Sequence, residues 1–228
     1  MLSKTDHEKI AAAVGEAEEG TSGEILCVLA RSVSNYRETA LAWGAGAALL
    51  APPIGLALGI HTLWPIKAAS AWSAASTGDM DAAVRLALSS YAMAQIVVFA
   101  VVAIAIAAWR PLKLALTPKI LKHRRVHQAA MAQLMATRML GSSIGAAVVI
   151  FASIEDRMVV VVADEAIHAR VGDPAWDQAV AAVLNGIKRG DPASGFVDAV
   201  RLCGALLAEH FPADAQTRHG LADGLVEI

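Results

Sequence analysis

Charge is missing from two long stretches of this sequence. No Asp, Glu, Lys or Arg occurs between Thr39 and Ile66, and none between Leu86 and Trp109. An ordinary amphipathic surface helix is excluded at both places, because it needs a solvated polar face. Cysteine is scarce: Cys27 and Cys203 both sit in apolar runs, which points to reduced, buried thiols rather than a disulfide or a zinc set. Excess positive charge is absent too, since the formal net charge is -2, so there is no broad basic face and no nucleic acid partner is expected. No glycine-rich loop follows a strand to cradle a phosphate. No apolar signal segment opens the chain at Met1–Lys9, so the N-terminus is expected to stay on the side where it is made.

What is present is apolar. Hydrophobic residues make up 56% of the chain and charged residues 18%, outside the usual balance of a soluble domain. Each uncharged run exceeds the roughly 20 residues that cross a bilayer core as a helix. Spans are expected over about 39–62 and 88–109, with an outside loop over about 63–87, so that 39–109 forms a two-helix transmembrane hairpin. Trp43 and Trp64 are 21 residues apart, about 31 Å along a helix, and Tyr91 and Trp109 are 18 apart, about 27 Å. Aromatic rings favour the two headgroup layers that such spacings reach. His61 falls at the outer end of the first span as an interface residue.

Pro52-Pro53 should kink the first span. Ala47, Ala51, Gly55 and Gly59 recur every fourth residue, a spacing that lets helices approach closely. The stripe is expected to pack the two spans together, with a homodimer seam through Gly55 and Gly59 as the alternative. Orientation follows from the basic residues. Arg110, Lys113, Lys119, Lys122, Arg124 and Arg125 crowd behind the second span, and Arg31 and Arg37 precede the first. Basic residues mark the cytoplasmic side, so both termini are expected inside a bacterial inner membrane. The basic segment from Leu112 to Arg125 would meet anionic headgroups.

The flanks carry a different pattern. Lys4–Glu19 reads as a helix with Ile10, Ala13, Val14 and Ala17 on one face, and Gly23–Ala30 as a buried strand. Beyond the second span come a helix over Pro118–Met139, a strand over Gly145–Ser153, a polar turn at Glu155-Asp156-Arg157 and a strand over Met158–Ala163. Helices follow at Ala175–Lys188 and Ala193–Glu209. Neither flank alone has enough strands for a stable sheet. Residues 1–38 and 110–228 are therefore expected to form one discontinuous α/β domain with a small mixed sheet, interrupted by the hairpin.

Several features, in order, carry a resemblance: Glu19-Gly20-Thr21-Ser22-Gly23-Glu24 before the first strand, Gly145–Ser153 followed by Arg157–Asp164, Val171-Gly172-Asp173 with Trp176, Gly190, Gly195-Phe196, His210-Phe211-Pro212, and the closing Leu221–Leu225. Residues 3–33 and 120–228 resemble the TPM domain (TPM phosphatase domain) family, in its bacterial integral-membrane branch. The resemblance implies an α/β/α sandwich. Relatives in that family are linked to photosystem repair, to an accessory role for a neurotransmitter receptor and to an acid phosphatase activity. What they share is association with membrane complexes.

Two roles suit the one acidic cluster. Asp164, Glu165 and Asp173 could gather at a strand end and hold Mg²⁺ or Ca²⁺ through oxygen ligands, as in a metal-assisted phosphatase or hydrolase, and an Asp there could also act as a phosphoryl nucleophile with His168 as acid/base. Alternatively, Asp164 caps a helix starting at Glu165, and Asp173 caps the next one before Pro174. Capping is the leading expectation, and no catalytic or cofactor-binding residue is assigned. His123 and His127 have the i, i+4 spacing of a metal pair, but Arg124 and Arg125 between them repel a cation. His210 suits a helix C-terminus, and Thr21-Ser22-Gly23 reads as a turn. The functional expectation is a membrane-anchored accessory module whose partners are the lipid bilayer and other membrane or envelope proteins.

Overall fold

Two eight-residue strands, β1 (Gly23–Ala30) and β2 (Ala146–Ser153), run side by side and parallel, in unbroken register from Gly23 opposite Ala146 to Ala30 opposite Ser153. The computed structural model describes residues 2–58, 80–140, 146–213 and 224–228. In it, β3 (Met158–Ala163) joins β2 antiparallel and β4 (Leu225–Glu227) joins β1 parallel, giving the order β3-β2-β1-β4. The sheet is thus small and mixed. Every residue of β1 and β2 is buried, as their uninterrupted apolar runs require of strands covered on both faces.

Helices supply the two covers. On one side, α1 (Lys4–Glu18), α7 (Asp177–Arg189) and α8 (Pro192–His210) pack Ile10, Val14, Val183, Phe196, Cys203 and Leu207 against Ile25, Cys27, Leu29, Val148 and Ile150. On the other, α5 (Lys119–Leu140) lays Val126, Ala130 and Leu134, one turn apart, on Leu26, Val28, Val149 and Phe151. Three layers result. Glycine permits close helix contact: a Cβ on Gly186 of α7 would lie 2.7 Å from the Gly195 Cα of α8.

The strand ends are secured by side chains. Because β4 pairs only with Cys27–Leu29, the Ile25 N–H has no strand partner on that side, and the Glu18 carboxylate accepts it at 2.7 Å. Buried, that bond replaces a donor left unsatisfied. Between β2 and β3 a four-residue turn closes with the Arg157 N–H on the Ile154 carbonyl, and Arg157 takes φ 51° to close it. After β3 come α6 (Glu165–Val171) and a 3₁₀ turn at Asp173–Trp176.

The chain divides into two compact units: 1–35 with 119–228, and 36–118. The second unit holds α2 (Arg37–Ala57), α3 (Met80–Ala108) and the short α4 (Arg110–Leu116). Helix α3 starts well before the expected span at 88, inside the expected loop. Nothing in Met80–Ala87 breaks a helix, so Asp81 and Arg85 simply extend it beyond the uncharged run. Helix α2 continues through Pro52 and Pro53. Neither proline can donate to the carbonyls of Ala48 and Leu49 four residues earlier.

Candidate functional site: an outward-facing apolar helix pair

In unit 36–118 many large apolar side chains face outward. Leu41, Leu49, Leu50 and Ile54 of α2, with Leu88, Met93, Ile96, Val97, Val101 and Ile104 of α3, are all more than half exposed. Small residues turn inward instead. Ala40, Gly44, Ala48 and Pro52, every fourth residue of α2, are buried. A Cβ on Gly44 would sit 3.1 Å from the Ala103 Cβ and 3.2 Å from the Phe99 ring and carbonyl of α3. This seam corrects the expectation for Ala47, Ala51 and Gly55. Ala51 is exposed and Gly55 has nothing within 4 Å, so that stripe does not join the two helices. Gly59, His61 and Trp64 lie outside the described residues.

Leu88–Ala108 is, among the described residues, the one helical stretch long and apolar enough to cross a membrane, and 11% of its apolar window is buried. The core helix of a soluble domain would be mostly buried. Helix α2 does not meet the same measure within its described part: Arg37 and Glu38 occupy its first turn, and the rest of the expected span, 59–62, lies outside the described residues. The expected two-span hairpin is therefore narrowed to one long apolar helix packed on a second.

Polar groups gather at one end of the pair. Thr39 and Thr117 share a buried hydrogen bond of 3.1 Å, and the Thr117 hydroxyl donates to the Lys113 carbonyl at 2.8 Å. The Trp43 indole N–H donates to the Leu116 carbonyl at 3.3 Å. The largely exposed Trp43 and Trp109 rings thus lie near the helix ends where the chain enters and leaves the unit. Gln95, half-buried, is the one carboxamide of α3. A search for ionisable residues misses it. A search for any hydrogen-bonding side chain in the uncharged run would find it.

The described members of the acidic cluster have separate surroundings. Asp164, buried, is the N-cap of α6 and accepts the Glu165 N–H, while its carbonyl takes the N–H groups of Ile167 and His168. Glu165, His168 and Asp177 are exposed. Asp173 opens the 3₁₀ turn, and its side chain is outside what is described. Among the described residues no three His, Cys, Asp or Glu side chains come together as a metal site. His123 and His127 stack with ring centroids 6.4 Å apart on the exposed face of α5. His210 ends α8 and its carbonyl accepts from Arg170, whose guanidinium lies 4.7 Å over the Phe211 ring. Thr21 locks its turn by donating to the Phe211 carbonyl at 2.6 Å and accepting the Gly23 N–H.

Both cysteines are free and buried. Burial pushes the Cys27 thiol far above its usual range and the Cys203 thiol up to about 12. Asp156 had been read only as a turn residue. It lies under the carboxyl ends of β1 and β2, where open α/β sheets place ligands. Its Oδ2 accepts the Ser153 hydroxyl at 2.6 Å and the Val33 N–H at 3.3 Å, and its Oδ1 is buried without a hydrogen-bond partner among the described residues. Arg31 and Glu155 pair beside it at 3.3 Å.

No family model matches this chain, and no curated protein matches it. Among solved structures its fold is similar to the NMR structure of the BA42 protein from the psychrophilic bacterium Bizionia argentinensis, at 18% identity and TM-score 0.54, over 100% of this chain and 95% of that one.

Proposed function

We propose that this protein is a membrane-anchored accessory module: a TPM-like α/β sandwich held at the cytoplasmic face of the inner membrane by an α2–α3 hairpin. The carrying observation is the inversion in unit 36–118, where ten large apolar side chains of α2 and α3 are more than half exposed while the helix seam is made by Ala40, Gly44 and Ala48. Such an exterior is stable against lipid and unstable against water. The basic residues behind α3, from Arg110 to Arg125, support an orientation with both termini inside. The sandwich offers an interaction surface to neighbouring membrane proteins. The Asp164 carboxylate serves in this reading as a helix cap.

Alkaline extraction of membranes containing the full chain, with reporter fusions at the termini and within 63–79, tests both parts. The expected outcome is retention in the membrane pellet, an externally active reporter in the loop and internally active reporters at both ends. Release into the alkaline supernatant overturns the anchor, and an internal loop reporter overturns the hairpin.

A further inference from the structure

We infer that the outer edge of β3 is a self-association surface, at which a second copy of this chain adds its own β3 antiparallel and joins two four-stranded sheets into one. The pairing of β3 with β2 fixes which backbone groups are available. Antiparallel ladders alternate hydrogen-bonded and non-hydrogen-bonded pairs. The Asp164 N–H donates to the Ala147 carbonyl at 2.9 Å, so in that register Val162, Val160 and Met158 bond to β2. Val159, Val161 and Ala163 then turn their N–H and C=O groups to the outside. Among the described residues none of these outward groups has a partner.

An edge left this way is normally protected by Lys, Pro, a bulge or shortness. Strand β3 has none of these: Met-Val-Val-Val-Val-Ala carries no charge or proline, and its register with β2 is continuous over all six residues. At the opposite edge β4 is only three residues long, so shortness protects that side. The open edge is the valine-rich one.

A second copy fits by charge as well as by strand chemistry. Hydrogen bonding at this edge requires outward residues opposite outward residues, so Val161 faces the other copy's Val161 and Val159 faces its Ala163. Just beyond the strand ends, Arg157 in the turn before β3 comes to the same end of the added ladder as the other copy's Glu165, which opens α6, once at each end. Both are exposed on the single chain, and unlike charges brought near each other favour pairing where like charges oppose it. The arrangement is isologous and closes at two copies. It lies in the sandwich unit and is separate from the Gly55 stripe on α2.

The test is the mass of the full chain purified in detergent, read by native mass spectrometry across a dilution series. The wild type is expected to be dimeric. Arg157→Glu is expected to weaken the dimer by about tenfold or more, and the double variant Arg157→Glu/Glu165→Arg to restore it, which separates a lost contact from a misfolded chain. Val161→Pro removes an outward N–H at an edge position where proline leaves the β2 pairing intact and is expected to yield monomer with an unchanged circular dichroism spectrum. A monomeric wild type overturns the inference, and so does a dimer indifferent to these variants or lost only with Gly55→Leu.

Discussion

The two units of this chain solve opposite packing problems. In 1–35 with 119–228, large apolar residues such as Phe151, Phe196 and Ile150 are fully buried. In 36–118, residues of equal hydrophobicity are turned out and the contact is made by Ala40, Gly44 and Ala48. In water, burial of large side chains drives packing. In lipid that drive vanishes between helices, and close approach through small residues takes over. The anchor proposed above would give the one chain two solvents, one for each rule.

Substitutions that separate the two rules break the comparison most sharply. Phe196→Ala empties a fully buried site in the sandwich and is expected to cost about 3–5 kcal/mol. Denaturant unfolding followed by near-UV circular dichroism should register it, with membrane retention unchanged. Val101→Lys puts a charge at a 62% exposed position of α3. Against water it is nearly neutral, but against lipid it costs about 2.5–3.5 kcal/mol of insertion. Reduced recovery in the alkaline-extracted pellet is the expected result.

Gly186→Ala tests a place where the sandwich also relies on small residues. The new methyl meets the Gly195 backbone at 2.7 Å and the Asp191 carbonyl at 2.8 Å, neither of which can rotate away. A loss of about 1–3 kcal/mol is expected, read as a lower denaturant midpoint. The smallest effect belongs to Glu227, whose carboxyl is held below the usual range chiefly by the Leu2 N–H at 2.7 Å, with His7 at 3.3 Å adding to it. A depressed carboxyl pKa stabilises fully above the unfolded value of about 4.3 and loses that contribution as pH falls through the folded value. Glu227→Gln should therefore flatten the acid limb of the stability–pH curve by less than about 1 kcal/mol, and leave neutral-pH membrane retention alone.

Local pattern and long-range pairing were unequally legible in the sequence. Strand β3 was bounded to the residue, because a β-branched run between a polar turn and an Asp cap has few other readings. Helices α7 and α8 were found within two residues, from their amphipathic periodicity. Strand β4 escaped: Leu225-Val226-Glu227 is too short to show a period, and only its pairing with β1 makes it a strand. The seam of α2 was misread because small residues lie on two of its faces, at Ala40-Gly44-Ala48 and at Ala47-Ala51-Gly55. Only the partner helix selects between them. Asp164 was legible as a cap, since Asp before a helical run has a local mechanism. Asp156 was not, because its burial depends on Val33, distant in sequence.

Because Cys27 and Cys203 are buried with thiols that resist ionisation, single cysteines can be introduced on the wild-type background. The most direct test of the inverted unit labels Leu50→Cys, Ile96→Cys and Val101→Cys in intact membranes with a water-soluble maleimide. Each position is more than half exposed on the protein, so solvent alone decides its reactivity. The expected result is no labelling in intact membranes, and labelling once the membrane is dissolved in a mild detergent that leaves the fold, and so the burial of Cys27 and Cys203, intact. Full labelling in intact membranes would contradict the account, since it would show water where lipid should be.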